Sequence, residues 1–355
     1  MSGTYEEGYK VGRRMGYAES EAYRSGAVVV FPFFLVLGMI IGIGLMVLFP
    51  GKCESQTHRG FQIGAPDLPS AIAHVDRASK LGASVVRYQI TDWDSKYWTQ
   101  SKYYSWWIQQ IENVRQTALY IDRHRLPVKL VVDMHTPLFG TVKRDWGTQH
   151  KILQKEHLHK WVELWVYAIQ VLDGYNAILA YDLINEPADR SSAALWKKYR
   201  HIAGVLRRYT QKPLIISTAR SDLRALRSLS PIPESNIWIT AHFYRPHQMA
   251  FYGLEPKYTD SRMYQAYTMM QRKGKKYVRR QLRHVRRFQQ KYNVQVYIGE
   301  FSISNQVPDK WRAVALARMI DVFNQYRWHW TFHALGEHPI WELHGESLDV
   351  VRRRL

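Results

Sequence analysis

Two glutamates carry the chemistry legible in this 355-residue chain. Glu186 follows the apolar run ILAYDLIN and Glu300 follows VQVYIG, 114 residues later. A pair of carboxyls, one protonated and one ionised, suits cleavage of a glycosidic bond. The acid donates a proton to the leaving oxygen and the carboxylate attacks the sugar carbon. Other apolar runs also end in polar or ring-bearing groups. These are Arg87 in SVVRYQI, Asp133 and His135 in VKLVVDMH, and Asn185 just before Glu186. His242 and Tyr244 lie in NIWITAHFY, and Trp330 in HWTFHAL. Each has a structural explanation alone, since a buried Arg pairs with an acid and a His caps a core. Five runs ending this way independently would bury charge repeatedly without compensation, so one shared site is the better account. Arg87 is placed to keep one carboxylate ionised, and Tyr244 to hydrogen-bond it.

The elements that must position these residues follow from the same runs. Eight short apolar stretches (61–65, 84–90, 128–135, 178–185, 213–219, 236–244, 294–302 and 329–335) alternate with longer amphipathic ones such as WWIQQIENVRQTALYIDRH and WRAVALARMIDVFNQYRW. Continuous apolar runs suit strands buried on both faces, hence a parallel sheet under helices. Eight such units in about 295 residues predict an α/β fold, a (β/α)8 TIM barrel whose site lies at the strand C-termini. A doubly wound open sheet is the rival, but no G-x-G-x-x-G turn follows the first strand. Some 20 residues follow the eighth strand, so the last helix is short or absent.

The motifs resemble those of glycoside hydrolase family 5, the cellulase family. YDLINEP (181–187) and VYIGEF (296–301) are similar to its acid/base and nucleophile strands. RGFQIG (59–64), LGASVVRYQI (81–90), VVDMH (131–135) and HFY (242–244) follow its first, second, third and sixth strands in order. HWTFHAL (329–335) resembles the eighth, which supplies a sugar-stacking Trp. The resemblance covers residues 59 to 345. It implies Glu186 as general acid/base, Glu300 as nucleophile and Asn185 on the sugar 2-hydroxyl. It further implies Arg87 and Tyr244 orienting Glu300, His135 and His242 lining the subsite, Trp330 as stacking platform, and neither metal nor organic cofactor. Thr136 stands where many members carry a second His, a departure that touches substrate contacts rather than the chemistry.

Ahead of the barrel, Ala27 to Phe49 form 23 positions without a charge. As a helix they reach about 34 Å, enough to cross a hydrocarbon core of about 30 Å. The run is too long and too late for a cleaved signal peptide, and no A-x-A-like site follows it. A retained signal-anchor is therefore expected. The domain plan is a cytoplasmic segment 1–26, a transmembrane helix 27–49, a linker 50–58 and a barrel 59–355. Lys10, Arg13, Arg14 and Arg24 precede the span against Lys52 and Arg59 after it. That bias puts the N-terminus in the cytoplasm and the barrel in the periplasm or outside the cell. Gly8, Gly12, Gly16 and Ser20, and Gly38 and Gly42 in the span, repeat a spacing that lets helices approach; a flexible tail is the plainer account. Cys53 is the single cysteine, so no disulfide supports the fold.

A β-linked glucan or mannan is the expected partner, gripped through some of the 13 tryptophans. Trp93, Trp98, Trp106, Trp107 and Trp146 follow the second and third strands, with Trp106 and Trp107 better read as helix-start residues facing the core. Trp341 follows the eighth strand. Lys and Arg exceed Asp and Glu by 50 to 30, giving a formal charge of +20. Half of it sits in 271–292, QRKGKKYVRRQLRHVRRFQQKY, with ten basic residues and no acid. A solvated outer helix with Val278, Leu282, Val285 and Phe288 inward explains that pattern. Contact with an anionic polymer or lipid surface is the sharper alternative. Nucleic acid is not expected, because no recognised binding module accompanies the charge. Two functional rivals to the hydrolase are a carbohydrate-binding barrel without turnover and a basic scaffold for acidic polymer. Intact Glu186 and Glu300 argue against the first, and salt-sensitive binding without hydrolysis would mark the second.

Overall fold

The computed structural model describes residues 56–92, 94, 98–139, 150–336 and 338–355. The expected membrane span, the tail before it, Trp93 and Trp146 lie outside the described residues. Among the described residues, no helix is long and apolar enough to cross a membrane.

Eight strands form where the apolar runs stand: β1 Arg59–Gly64, β2 Val85–Ile90, β3 Lys129–Met134, β4 Ile178–Asp182, β5 Leu214–Ile216, β6 Ile237–Phe243, β7 Gln295–Phe301 and β8 His329–Phe332. All pairings are parallel, and β8 returns to β1 to close the barrel. The crossovers carry α1 Leu68–Lys80, α2 Gln100–His124, α3 Leu158–Leu172 and α4 Ser192–Leu206. After β6 and β7 come α5 Asp260–Gln281, α6 Arg283–Tyr292 and α7 Asp309–Gln325. Asp67, Thr99 and Ser191 cap α1, α2 and α4 by accepting an N–H three residues on, which fixes where each helix starts. Between β5 and β6 the described chain makes only 3-10 turns, Ala219–Ser221 and Leu223–Arg227. The last helix, α8 Gly345–Arg352, has eight residues, as the short C-terminal remainder foretold.

The strands separate two cores. Between strands and helices lies a large cluster that includes Trp107, Trp161, Trp165 and Trp330. Inside the barrel, Val85, Val131, Ala180, Ile215, Trp238 and Tyr297 form a second, smaller one. Strand side chains alternate faces, so positions two residues further on also point into the lumen. Among those positions are Arg87, Asp133, Asp182, Ser217 and Thr240. The apolar floor therefore gives way to charge toward the strand C-termini.

Strand β7 breaks the alternation once. Ala241 pairs with Ile298 and His242 with Glu300, leaving Gly299 as an extra residue. A Cβ there would stand 2.7 Å from the Thr240 hydroxyl oxygen and 3.0 Å from His242 Nε2, so only glycine fits without displacement. This bulge turns Glu300, one residue out of phase with Tyr297, back toward the lumen.

The basic stretch forms two helices, α5 and α6, rather than one. Val278, Leu282, Val285 and Phe288 are buried as expected, and Arg272, Lys273, Lys276, Arg279, Arg280, Arg283, Arg287 and Lys291 are exposed.

Candidate active site

All six positions of β2 are buried, so Arg87 has no route to solvent and must find its partners in the lumen. Its Nη1 donates to Glu300 Oε1 at 2.7 Å and Gln62 Oε1 at 2.6 Å. Its Nη2 meets Asp182 Oδ2 at 2.9 Å, Asp133 Oδ1 at 3.0 Å and Asn185 Oδ1 at 3.0 Å, and Nε donates to Asp182 at 3.1 Å. Burial opposes the cation, but the carboxylates of Asp133, Asp182 and Glu300 outweigh it and keep Arg87 charged. Burial likewise pushes Asp182 up to about 7, against the pull of Arg87 and with the help of Asp133.

Asn185 links this centre to His135. The Asn185 Nδ2 lies 3.2 Å from His135 Nε2, while His135 Nδ1 lies 2.8 Å from Asp133 Oδ2. Neutral His135 with its proton on Nδ1 satisfies both contacts. Burial lowers its pKa, and the bond to Asp133 raises it above the ordinary value. The Asn185 contact works against that rise, because it needs a lone pair on Nε2.

Glu300 is 4% exposed. Besides Arg87, it accepts a hydrogen bond from Tyr244 Oη at 2.7 Å. Burial favours its neutral form. His242 and the Arg87 guanidinium prevail and hold it well below the usual carboxylate range. Glu186 differs: its side chain is 28% exposed, and its backbone turns at φ 39°, a left-handed conformation uncommon for a residue with a Cβ. Glu186 Oε1 accepts from His242 Nδ1 at 3.0 Å and from Ser221 Oγ at 3.4 Å. The same Nδ1 stands 3.4 Å from Glu300 Oε2. One oxygen of each glutamate and the His242 nitrogen all lie within 4.8 Å of one another. These three could offer ligands to a cation, yet both Glu300 oxygens are already engaged by Arg87 and Tyr244.

The lumen therefore brings together Glu186, Glu300, Arg87, His135, Asn185, His242 and Tyr244. Trp330 is the exception and corrects the expectation of a stacking platform there. It is fully buried on the helix side of β8, its indole N–H donates to Asn324 Oδ1 at 2.9 Å, and its ring meets Phe301 edge-on. The alternation explains this. His329, stacked on Trp238, and Thr331, bonded to Tyr297, face the lumen, so Trp330 cannot. Two residues beyond Thr331 stands His333, buried and pushed down to about 3 by that burial, hence neutral. Sequence reading also passed over Gln62, Asp182 and Ser221. Asp182 stands inside the apolar run that precedes Glu186, and an acid among those apolar residues is the signal that marks it. Trp107 is in the core and Trp106 half-buried against it, as expected, while Trp98 packs edge-on against Trp106.

A closed parallel barrel with two glutamates across its C-terminal mouth defines a glycoside hydrolase. The model of the cellulase family, glycosyl hydrolase family 5, matches residues 55–339, and the chain belongs to that family. A search of curated protein sequences found no match. Among solved structures, the endoglucanase of Thermotoga maritima is similar at TM-score 0.62 and 17% identity, covering 83% of this chain and 96% of that one. The cellulose synthase subunit Z of Clostridioides difficile is similar at TM-score 0.61 and 16% identity, covering 83% and 99%. The Thermotoga enzyme has also been solved with cellobiose and with mannotriose.

Proposed function

We propose that this glycoside hydrolase cleaves a β-linked polysaccharide of the β-1,4-glucan or mannan type with retention, by double displacement. The carrying observation is the separation of the two carboxyls, within 4.8 Å at their near oxygens. Retention goes with carboxyls about 5–5.5 Å apart, whereas inversion needs about 6.5–9.5 Å to admit a water. Glu300, held ionised, attacks the anomeric carbon, and the glycosidic C–O bond breaks. Glu186 gives its proton to the departing oxygen. Glu186, now a carboxylate, then removes a proton from water, which displaces Glu300 and restores both groups. Asn185 meets the sugar 2-hydroxyl, and Arg87 and Tyr244 keep the Glu300 charge in place while His135 and His242 line the subsite.

The glucan or mannan assignment is supported by cellobiose and mannotriose in the Thermotoga endoglucanase. Residues 27–49 anchor the chain as a single-pass membrane protein with the barrel periplasmic or extracellular, on the strength of their length, apolarity and flanking charges. The exposed bases of α5 and α6 face an anionic polymer or lipid surface. Among the described residues the stretch makes one ion pair, Lys275 with Asp321 at 2.8 Å. Reducing-sugar release from glucans, mannans, xylan and acidic exopolysaccharides, with the anomer followed by NMR, tests the activity. Release of the inverted anomer, or no release from any of them, would overturn it.

A further inference from the structure

The end of the barrel from which the strands start, opposite the catalytic mouth, is cationic. Helix α2 ends near Arg123 and turns at Arg125, Arg208 follows α4, and Lys291 stands in the last turn of α6. Arg352 and Arg353 close α8, and all six side chains are exposed. Among the described residues, none of the six pairs with a carboxylate at ion-pair distance. The acids at this end, Asp122, Asp173 and Glu234, are half-buried, and no exposed acid stands among its described residues. At the mouth the signs are mixed, with exposed Asp67, Asp94, Glu156, Asp260 and Glu346.

Part of this charge is structural. Helix C-termini favour cations through their dipoles. Arg207 Nη1 donates to the Lys212 carbonyl at 2.7 Å, and Lys212 Nζ to the Ile178 carbonyl at 2.8 Å, tying the ends together. Neither effect accounts for the missing exposed acids in the loops between helix and strand. Nor does either explain Arg125 and Arg327, which occupy left-handed turns at φ 52° and 55° where glycine is the less strained choice. Tyr209, beside Arg208, is 40% exposed. A ring with a polar tip suits the headgroup level of a bilayer.

The chain reaches β1 at this same end. His58 N–H donates to His329 Nδ1 at 2.9 Å, and Trp330 N–H to the His58 carbonyl at 3.1 Å, which pins the entry beside the start of β8. Seven residues, 50–56, separate the apolar run 27–49 from Thr57. Fully extended they reach about 25 Å at most. We propose that the strand-start end of the barrel docks on anionic lipid headgroups of the membrane that carries the chain. This rests on residues 27–49 being a membrane span. A short tether brings this end, and no other, repeatedly against the headgroups, where basic side chains within a Debye length are attracted. The strands run away from the docked end, so the mouth with Glu186 and Glu300 opens away from the bilayer. The enzyme then takes polymer from the aqueous side rather than chains lying on the lipid.

The test uses the full-length chain in nanodiscs of phosphatidylcholine, with or without phosphatidylglycerol. Cys53→Ser removes the native thiol, and either Gln211→Cys at the docking end or Gln306→Cys at the mouth carries a donor dye, with an acceptor dye on the lipid. Energy transfer from position 211 should exceed that from position 306. It should be at least about twofold higher with phosphatidylglycerol than without, and fall to the neutral value in about 1 M salt, where the screening length is about 3 Å. Arg125→Glu/Lys291→Glu/Arg352→Glu/Arg353→Glu should abolish the gain. An equal charge change on the barrel flank, Arg272→Glu/Lys276→Glu/Arg280→Glu/Arg283→Glu, should preserve it. Gln at the same four docking positions replaces Glu if the first variant does not fold. Equal transfer in both kinds of disc, or equal loss in both variants, would overturn the docking end. Loss of the gain on adding soluble polygalacturonate would assign this end to acidic polymer and overturn the lipid contact. A chain washed from neutral discs by salt would reject the membrane span. Flotation with phosphatidylglycerol vesicles then still decides the docking end: parent bound and the docking variant released supports it, and equal flotation of the two overturns it.

Discussion

His242 Nδ1 stands between the two glutamates, 3.0 Å from Glu186 Oε1 and 3.4 Å from Glu300 Oε2. One imidazole therefore senses both carboxyls. Burial lowers its pKa, but the Glu300 charge and the Glu186 bond raise it above the ordinary value. Around that centre the environments of the two acids differ, one sealed against Arg87 and Tyr244 and the other part-exposed. Such asymmetry is what lets two like groups take opposite parts in one reaction.

Glu300→Gln removes the nucleophile while leaving an amide of the same shape against Arg87 and Tyr244. Hydrolysis should fall by at least about a thousandfold, with circular dichroism unchanged. Parent-like turnover on every glycan would remove Glu300 from the reaction.

Glu186→Gln takes away the proton donor. The loss in kcat/KM, which reports the first step, should be about 10²–10⁴-fold for natural glycosides and much smaller for dinitrophenyl glycosides, whose leaving group needs no proton. Rates measured across a series of aryl leaving groups check this; equal losses along the series contradict it.

Tyr244→Phe deletes a hydrogen bond that favours the ionised form of Glu300. The Glu300 pKa must then rise, and the fraction in the reactive state falls on the acid side. The acid limb of kcat/KM should move up by about one unit, with the alkaline limb in place. An unmoved acid limb in the pH profile would count against the assignment of Glu300.

Arg87→Met leaves Asp133, Asp182 and Glu300 buried without their common cation. Removing one partner of a buried ion group costs about 3–5 kcal/mol, so the urea midpoint should drop steeply or the barrel fail to fold. Arg87→Lys should fold better and still lose stability, because an ammonium cannot reproduce the forked contacts. A midpoint unchanged in both variants would deny Arg87 this role.

Asp182 has a folded pKa raised to about 7 over an ordinary 3.8. Between those values the folded chain holds a proton that the unfolded chain has released. Its contribution to stability is therefore greatest at the acid end of that window and declines as pH rises to about 7. Asp182→Asn, an isostere of the protonated form, should flatten this decline in urea titrations between pH 4 and 7.

Much of the site was legible because each participating strand ends an apolar run in a polar group, and burying charge needs a reason. The eight runs, the order of the motifs, and Glu186, Glu300, Arg87, His135, Asn185, His242 and Tyr244 could all be read from one dimension. Which face a residue takes could not. Strands buried on both sides carry no polar alternation, so HWTFHAL looks the same whether Trp330 or His333 enters the lumen. Only closure of β8 against β1 and β7 fixes that choice. The extra residue at Gly299, which re-aims Glu300, depends on pairing with β6 and is likewise silent in the sequence. The gathering of Asp182 and Gln62 onto Arg87 joins residues up to 95 positions apart. Local pattern selects the elements and the groups at their ends; long-range closure alone sets the distances between those groups.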